Sequence, residues 1–300
     1  MNACCSHPTR QVIRVRDSRS PRFVRLGRRT RTIGAIRALD LPRMADFAGS
    51  SDASVDQATL DALADLATPT VTAALGKLGF DFAYATGINP LAPPEGGRMV
   101  GRARTVRFIQ KREDLVKAQY ADLESSPHRS ALESIEPGEI MVIDARGCLE
   151  AAVVGDIFTR RVQARGGLGI VIDGVCRDIT AIREVGLPLY ARGVHGQGID
   201  RRLMSVGSQE PVQIAEVAVM PGDIVLGDGD GVVVIPPHAV DEVIAEASTH
   251  EELEVWIREE ISAGRGSLHT HYPPNAEVLA EFEAWQRAQG RDPLGREFRL

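Results

Sequence analysis

The sequence predicts an α/β fold, a partly parallel sheet with helices against it and a helical C-terminal extension. Three observations predict it. Short apolar runs recur from residue 139 to residue 236, two of the gaps between them read as helices, and 43% hydrophobic composition is enough for a buried core.

The elements follow in order. Leu60, Leu63 and Leu66 recur at helical spacing after Ser54. Thr68-Pro69 then caps and opens a second helix carrying Val71, Leu75 and Leu78, which stops at Gly79. From Gly101 the pattern becomes strand-like in RARTVRFIQ. Strands are expected at EIMVIDA (139–145), LEAAVV (149–154), LGIVID (168–173) and LPLYA (187–191), with helices in IFTRRVQARGG and ITAIREVG between them. Strand–helix–strand alternation at this spacing favours parallel neighbours. PVQIAEVAV (211–219), DIVLG (223–227) and GVVVIP (231–236) read as further strands, and one amphipathic helix, with a single buried stripe, is expected from Pro237 to Ala263. Helical character continues to about Arg291. The division is then 1–43, an Arg-rich extension; 54–265, the main domain; and 266–300, a C-terminal extension.

Charge separates the first region from the rest. Residues 1–43 contain eleven arginines against Asp17 and Asp40, whereas the remainder carries a net charge of −15. Arg- and Ser-rich, acid-poor segments can be transit peptides. The plainer reading is a disordered extension, or a start set upstream of Met44. The acidic body argues against a nucleic-acid groove, which needs a basic surface. No run approaches the roughly 20 apolar residues that cross a bilayer. Cys4, Cys5, Cys148 and Cys176 form neither a disulfide framework nor a paired zinc motif. A reducing, cytoplasmic setting is the natural expectation.

Ligands in α/β folds gather where strands end and helices begin. Two such junctions carry acids: Gly155-Asp156 after AAVV, and DGVCRD, ending in Arg177-Asp178, after GIVI. Each aspartate taken alone is better read as a helix cap, worth about 1 kcal/mol. Asp223, Asp228 and Asp230 in GDIVLGDGDG read as turn residues, since a calcium loop would need a glutamate that is missing. Arg102 and Arg104 share a strand face expected to be solvated, His195 follows a strand and is expected at the surface, and Trp256 and Trp285 read as packing residues.

Together these residues resemble a family. Asp156, twenty intervening residues and then Arg177-Asp178 resemble the D-x20-R-D signature of class II pyruvate aldolases, typified by 4-hydroxy-4-methyl-2-oxoglutarate aldolase, and of the related RraA-like proteins. The likeness runs through TPTVTAALGKLG, VIDGVCRDITAIREVGLPLYARG and PGDIVLGDGDGVVVIP, and EELEVWIREEISAGRGSLHTHYPP is similar to the ends of longer RraA-like members. It implies a layered α/β/β sandwich of the swivelling-domain type. It also implies a lyase that cleaves 2-oxo acids to pyruvate, with oxaloacetate decarboxylation alongside. Asp178 would hold Mg²⁺ or Mn²⁺, Asp156 its waters, and Arg177 the substrate's keto and carboxylate oxygens. Amides of Ile157, Phe158 and Thr159 would receive the pyruvyl carboxylate. Glu254 from a neighbouring subunit, with Glu251 and Glu252 as rivals, would complete the site in a homotrimer or homohexamer. Ala73 stands where the family motif usually has aspartate, which loosens the substrate assignment. The rival implication is a non-catalytic regulator binding a ribonuclease or another protein.

Elimination gives separate support. Breaking a carbon–carbon bond beside a ketone leaves an enolate that needs an electrophile. Lys77, Lys111 and Lys117 all precede the core junctions, and the close histidine pair, His269 and His271, lies in a late Pro-containing segment. A hard, oxygen-ligated cation remains.

Overall fold

The computed structural model describes residues 55–95 and 97–290, so the Arg-rich extension 1–43, with its transit-peptide and late-start readings, lies outside the described residues. Two short helices open them, α1 (Gln57–Ala64) and α2 (Thr68–Lys77). Asp56 caps α1 by accepting from the Thr59 amide at 2.8 Å. In α2 Thr68 is not the cap, as the sequence suggested. It already lies in the first turn, and its amide donates to the distant Asp228 carboxylate at 2.8 Å. The helix ends as expected, with Gly79 at φ +92° just past the last turn, where a side chain would be strained.

The strands are β1 (Asn89–Ala92), β2 (Met99–Gln110), β3 (Glu139–Val154), β4 (Gly169–Cys176), β5 (Leu189–Val194), β6 (Leu203–Ser208), β7 (Val212–Ile214), β8 (Val217–Val219), β9 (Ile224–Gly227) and β10 (Val232–Ile235). The main sheet runs β1-β5-β4-β3-β2-β9-β10, with β6 also on β2. Neighbours among β2, β3, β4 and β5 are parallel and the other pairings antiparallel, so the expected partly parallel α/β sheet is what forms.

Both faces of this sheet are buried, which is why its central strands read as unbroken apolar runs. Met141, Ile143, Ile170 and Ile172 face helices α4 (Pro127–Ser134), α5 (Asp156–Ala164) and α6 (Ile179–Val185). Ile140, Val142 and Val171 face the other way, onto Val212 and Ile214 of β7 and Val217 and Val219 of β8. Helices, sheet and a second β layer are the expected α/β/β arrangement.

Several boundaries differ from the sequence reading. EIMVIDA and LEAAVV are one strand, β3, whose pairing with β4 slips at Arg146 and Gly147, both at positive φ. PVQIAEVAV is a tight hairpin, turning where Ala215 has φ +51°. Helix α3 (Glu113–Ala121), α4, β1 and β6 were not foreseen. The long helix, α7 (Val240–Ser262), has two buried ends rather than one stripe. Val240, Val243 and Ala247 pack against α1, α2 and β9–β10, while Leu253, Trp256 and Ile257 pack against Val278 and Phe282 of α9 (Ala276–Ala288). Between them lies α8 (Leu268–His271). Trp256 and Trp285 are packing residues as expected, Trp285 stacked on Phe282.

Candidate active site at two neighbouring strand ends

β3 and β4 end side by side. Val154 pairs with Cys176, and the Arg177 amide donates to the Val154 carbonyl at 2.9 Å. The turns after the two strands are therefore neighbours, which explains how residues separated by a whole helix and strand meet. Asp156, Ile157, Phe158, Arg177 and Asp178 all line one cavity of about 590 Å³.

The turn at Asp178 is unusual. The residue stands at the N-cap of α6 with φ 58° and ψ 35°, in the left-handed region, and its carboxylate caps nothing. The cap reading thus fails on geometry: a capping residue is normally extended and its oxygen accepts from the first turn. A non-glycine residue in this region is uncommon, but aspartate enters it more readily than most, and Arg146, Gln209 and Ala215 share it elsewhere in the fold. The carboxylate, about half exposed, lies 3.3 Å from the Arg177 Nε. Gly155 lets the turns approach, since a Cβ there would stand 2.7 Å from the Asp178 Oδ2 and 3.2 Å from the Arg177 Nε.

Asp156 occupies the first turn of α5, with a loose 3.7 Å contact to Arg160 one turn on. Gly155 is the N-cap and offers no side chain, so the Asp156, Ile157 and Phe158 amides have no partner within the helix. Thr159 departs from expectation. Its amide and its hydroxyl both donate to the Gly155 carbonyl at 3.1 Å, and the residue is fully buried, so neither group is free for a ligand.

Glu254 does not line this cavity in its own chain; it sits on α7, 3.3 Å from His250. Its rivals are engaged internally, Glu251 by the Thr70 hydroxyl at 2.6 Å and Glu252 by the Gln286 amide at 2.9 Å. Among the described residues no group of three or more His, Cys, Asp or Glu side chains is placed to enclose a metal. A cavity lined by only three carboxylates, Asp156, Asp178 and Asp200, suits a cation that keeps most of its water, as Mg²⁺ does.

Sequence reasoning missed the wall that closes the cavity: Arg129, Gly198, Ile199 and Asp200. Arg129 comes from the unforeseen α4, and its guanidinium lies 5.7 Å over the Phe158 ring. His128 beside it is buried edge-on between Phe108 and Phe158, and burial, helped by the Arg129 charge, pushes its pKa down to about 3. It is a neutral packing group. Cys176 is likewise inert, its thiol pushed up to about 11 by burial. The expected solvated face of Arg102 and Arg104 is instead partly buried, with Arg104 Nε 2.5 Å from Glu139 and Arg102 donating to the Val55 carbonyl.

Fold and site define an α/β protein with an acid–arginine pocket at parallel strand ends, and the comparisons place it. Residues 68–234 match the RraA-like family, described as Aldolase/RraA. The chain belongs to that family. A Halalkalibacterium halodurans protein named "Putative 4-hydroxy-4-methyl-2-oxoglutarate aldolase" is 28% identical over 226 residues, 74% of this chain and 100% of that protein. RraAS2 of Streptomyces coelicolor, described as an unusual member of the RNase ES inhibitor RraA protein family, is 30% identical with a TM-score of 0.61, over 68% of this chain and 96% of its own. An uncharacterized protein from Pseudomonas syringae pv. tomato is 32% identical with a TM-score of 0.60, over 71% and 96%.

Proposed function

We propose that this chain is a divalent-cation-dependent lyase that cleaves 2-oxo acids of the 4-hydroxy-4-methyl-2-oxoglutarate kind to pyruvate, with oxaloacetate decarboxylation as a second reaction. The observation that carries this reading is the convergence of Asp156, Arg177 and Asp178 on one cavity, with the Asp178 carboxylate uncapped. The aldolase name of the Halalkalibacterium relative supports the reaction class.

Asp178 would hold Mg²⁺ or Mn²⁺, and Asp156 would hold water in its shell. When bound, the cation polarises the keto oxygen and makes nearby water more acidic. The chain's own residues do the rest. The amides of Ile157 and Phe158, which have no partner among the described residues and lie at the positive end of α5, receive the substrate carboxylate. The Arg177 guanidinium donates to the keto oxygen and faces the negative charge that grows there. Asp156 accepts, through a water, the proton of the distal hydroxyl. That oxygen becomes a carbonyl, the C–C electron pair passes into the pyruvate enolate, and the enolate is protonated at carbon. Decarboxylation leaves the same enolate.

Glu254 joins this site in the proposal only from a neighbouring copy, in a homotrimer or homohexamer. Among the three glutamates it is the one held merely by a histidine on its own helix. The partner is then a small 2-oxo acid, with neither nucleic acid nor membrane involved. Among the described residues no helix is long and apolar enough to cross a membrane.

A second reading, a regulator that binds a ribonuclease, rests on the description of RraAS2. Pyruvate release from 4-hydroxy-4-methyl-2-oxoglutarate and from oxaloacetate, with Mg²⁺ and then with excess EDTA, separates the two. The lyase predicts turnover that EDTA stops and added Mg²⁺ restores. No turnover of either acid with the metal present would favour the regulator.

A further inference from the structure

The cavity contains a second arginine that the proposed chemistry leaves unused. Arg129 lines it together with Arg177 and Asp178. Among the described residues no carboxylate lies within 4 Å of its guanidinium, although ion pairs are plentiful on the surrounding surface: Arg160 with Asp156, Arg161 with Glu133 and Arg202 with Glu150. Asp200 lines the same cavity and does not pair with Arg129 either.

Arg129 also has a fixed support. It sits on α4 two residues after the opening Pro127, with its guanidinium over the Phe158 ring. Phe158 is itself held edge-on by the buried His128. A planar guanidinium lying on an aromatic face keeps its edge donors available, in the fork geometry that matches a carboxylate. Two arginines and three aspartates line the cavity, so a divalent cation would turn a net charge of −1 into +1 and favour a dianion.

We propose that Arg129 is the specificity-determining residue of this site: it binds the second carboxylate of a dicarboxylic 2-oxo acid whose 2-oxo end lies at Arg177 and Asp178. The inference rests on the placement of the 2-oxo acid given above and adds the residue that selects for the second carboxylate those acids carry. Arg129 meets the second carboxylate and not the keto group, so its loss acts first on the binding of dicarboxylic acids. Arg129 is exposed, and the Phe158 ring beneath it covers one face of its guanidinium.

The test is binding without turnover, which keeps it independent of the lyase chemistry. Titration calorimetry with Mg²⁺ compares 2-oxoglutarate with 5-methyl-2-oxohexanoate, in which an isopropyl group replaces the second carboxylate. The wild type should bind 2-oxoglutarate at least roughly tenfold more tightly. Arg129→Ala should erase that preference and change the affinity for the isopropyl acid by less than about threefold, and Arg129→Lys should restore part of it. Equal losses for both acids, an unchanged preference, or no binding of either acid to the wild type would overturn the proposal. If the preference behaves as stated but no pyruvate is released from the 4-hydroxy acid, Arg129 keeps this role and the lyase reading fails.

Discussion

Two acid-bearing turns at strand ends look alike in sequence and differ in what their carboxylates do. In the β9–β10 turn, Asp228 accepts from the amides of Thr68 at 2.8 Å and Asp230 at 2.9 Å and lies 3.7 Å from Arg98. Asp223, just before β9, accepts from the Met220 amide at 2.8 Å. These acids hold the chain together, as their reading as turn residues required. After β4, the Asp178 carboxylate caps no helix and faces a cavity beside Arg177. What separates a structural acid from a candidate ligand is whether its oxygens are already satisfied by the fold. A buried acceptor that serves two amides has little left to offer a ligand.

The sharpest way to break this contrast is to exchange the losses. Arg177→Ala and Asp178→Ala should each lower pyruvate release by roughly a hundredfold or more, the scale of losing a group that meets developing charge. Both should leave the thermal midpoint within about 2 °C of the wild type, because these side chains are half exposed and cap nothing. Asp228→Ala should do the reverse. It leaves two amides without their acceptor and Arg98 without its ion-pair partner, and should destabilise by about 2–4 kcal/mol in urea unfolding, while the folded fraction keeps its turnover.

Gly155→Ala sharpens the comparison inside the site. The backbone there is extended (φ −130°), so alanine brings no strain, but its Cβ would meet the Asp178 carboxylate and the Arg177 side chain. Steady-state kinetics should show a loss of roughly tenfold or more in kcat/KM with little change in unfolding.

The smallest effect concerns pH. Burial pushes the Asp223 carboxyl up to about 7, against the Met220 amide, which pulls it down. With the folded pKa raised above the unfolded value of 3.8, the stability it contributes is full below pH 3.8 and is lost as pH rises through 7. Asp223→Asn keeps an oxygen for the Met220 amide and cannot ionise. Its unfolding free energy relative to the wild type should rise between pH 5 and pH 7, by at most roughly 1.4 kcal/mol per pH unit. A flat difference over that range would show that Asp223 ionises freely in the fold.

Much of the layered architecture was legible because burial on both faces writes itself as unbroken apolar runs, as in β4, where every residue is buried. The tight turn at Ala215 was not, because backbone geometry without glycine or proline leaves little trace in composition, and the slip at Arg146 and Gly147 was not, because a lone glycine reads as a break between two strands. At the site, Asp156, Arg177 and Asp178 were legible as acids and an arginine at strand ends. Their meeting depends on the side-by-side ends of β3 and β4, which no local pattern encodes. Arg129 was missed because α4 is short and polar, with only His128, Ala131 and Leu132 buried. The commitment of the Thr159 amide became visible only once Gly155 was placed as the N-cap of α5.

The most direct test is cation binding measured on matched variants. Mn²⁺ titration followed by electron paramagnetic resonance, on the wild type, Asp178→Asn and Asp228→Asn, places the two turns side by side. One bound Mn²⁺ per chain should be lost in Asp178→Asn and retained in folded Asp228→Asn. Retention of that ion in Asp178→Asn, or its loss in Asp228→Asn alone, would contradict the assignment of the cation to the turn after β4.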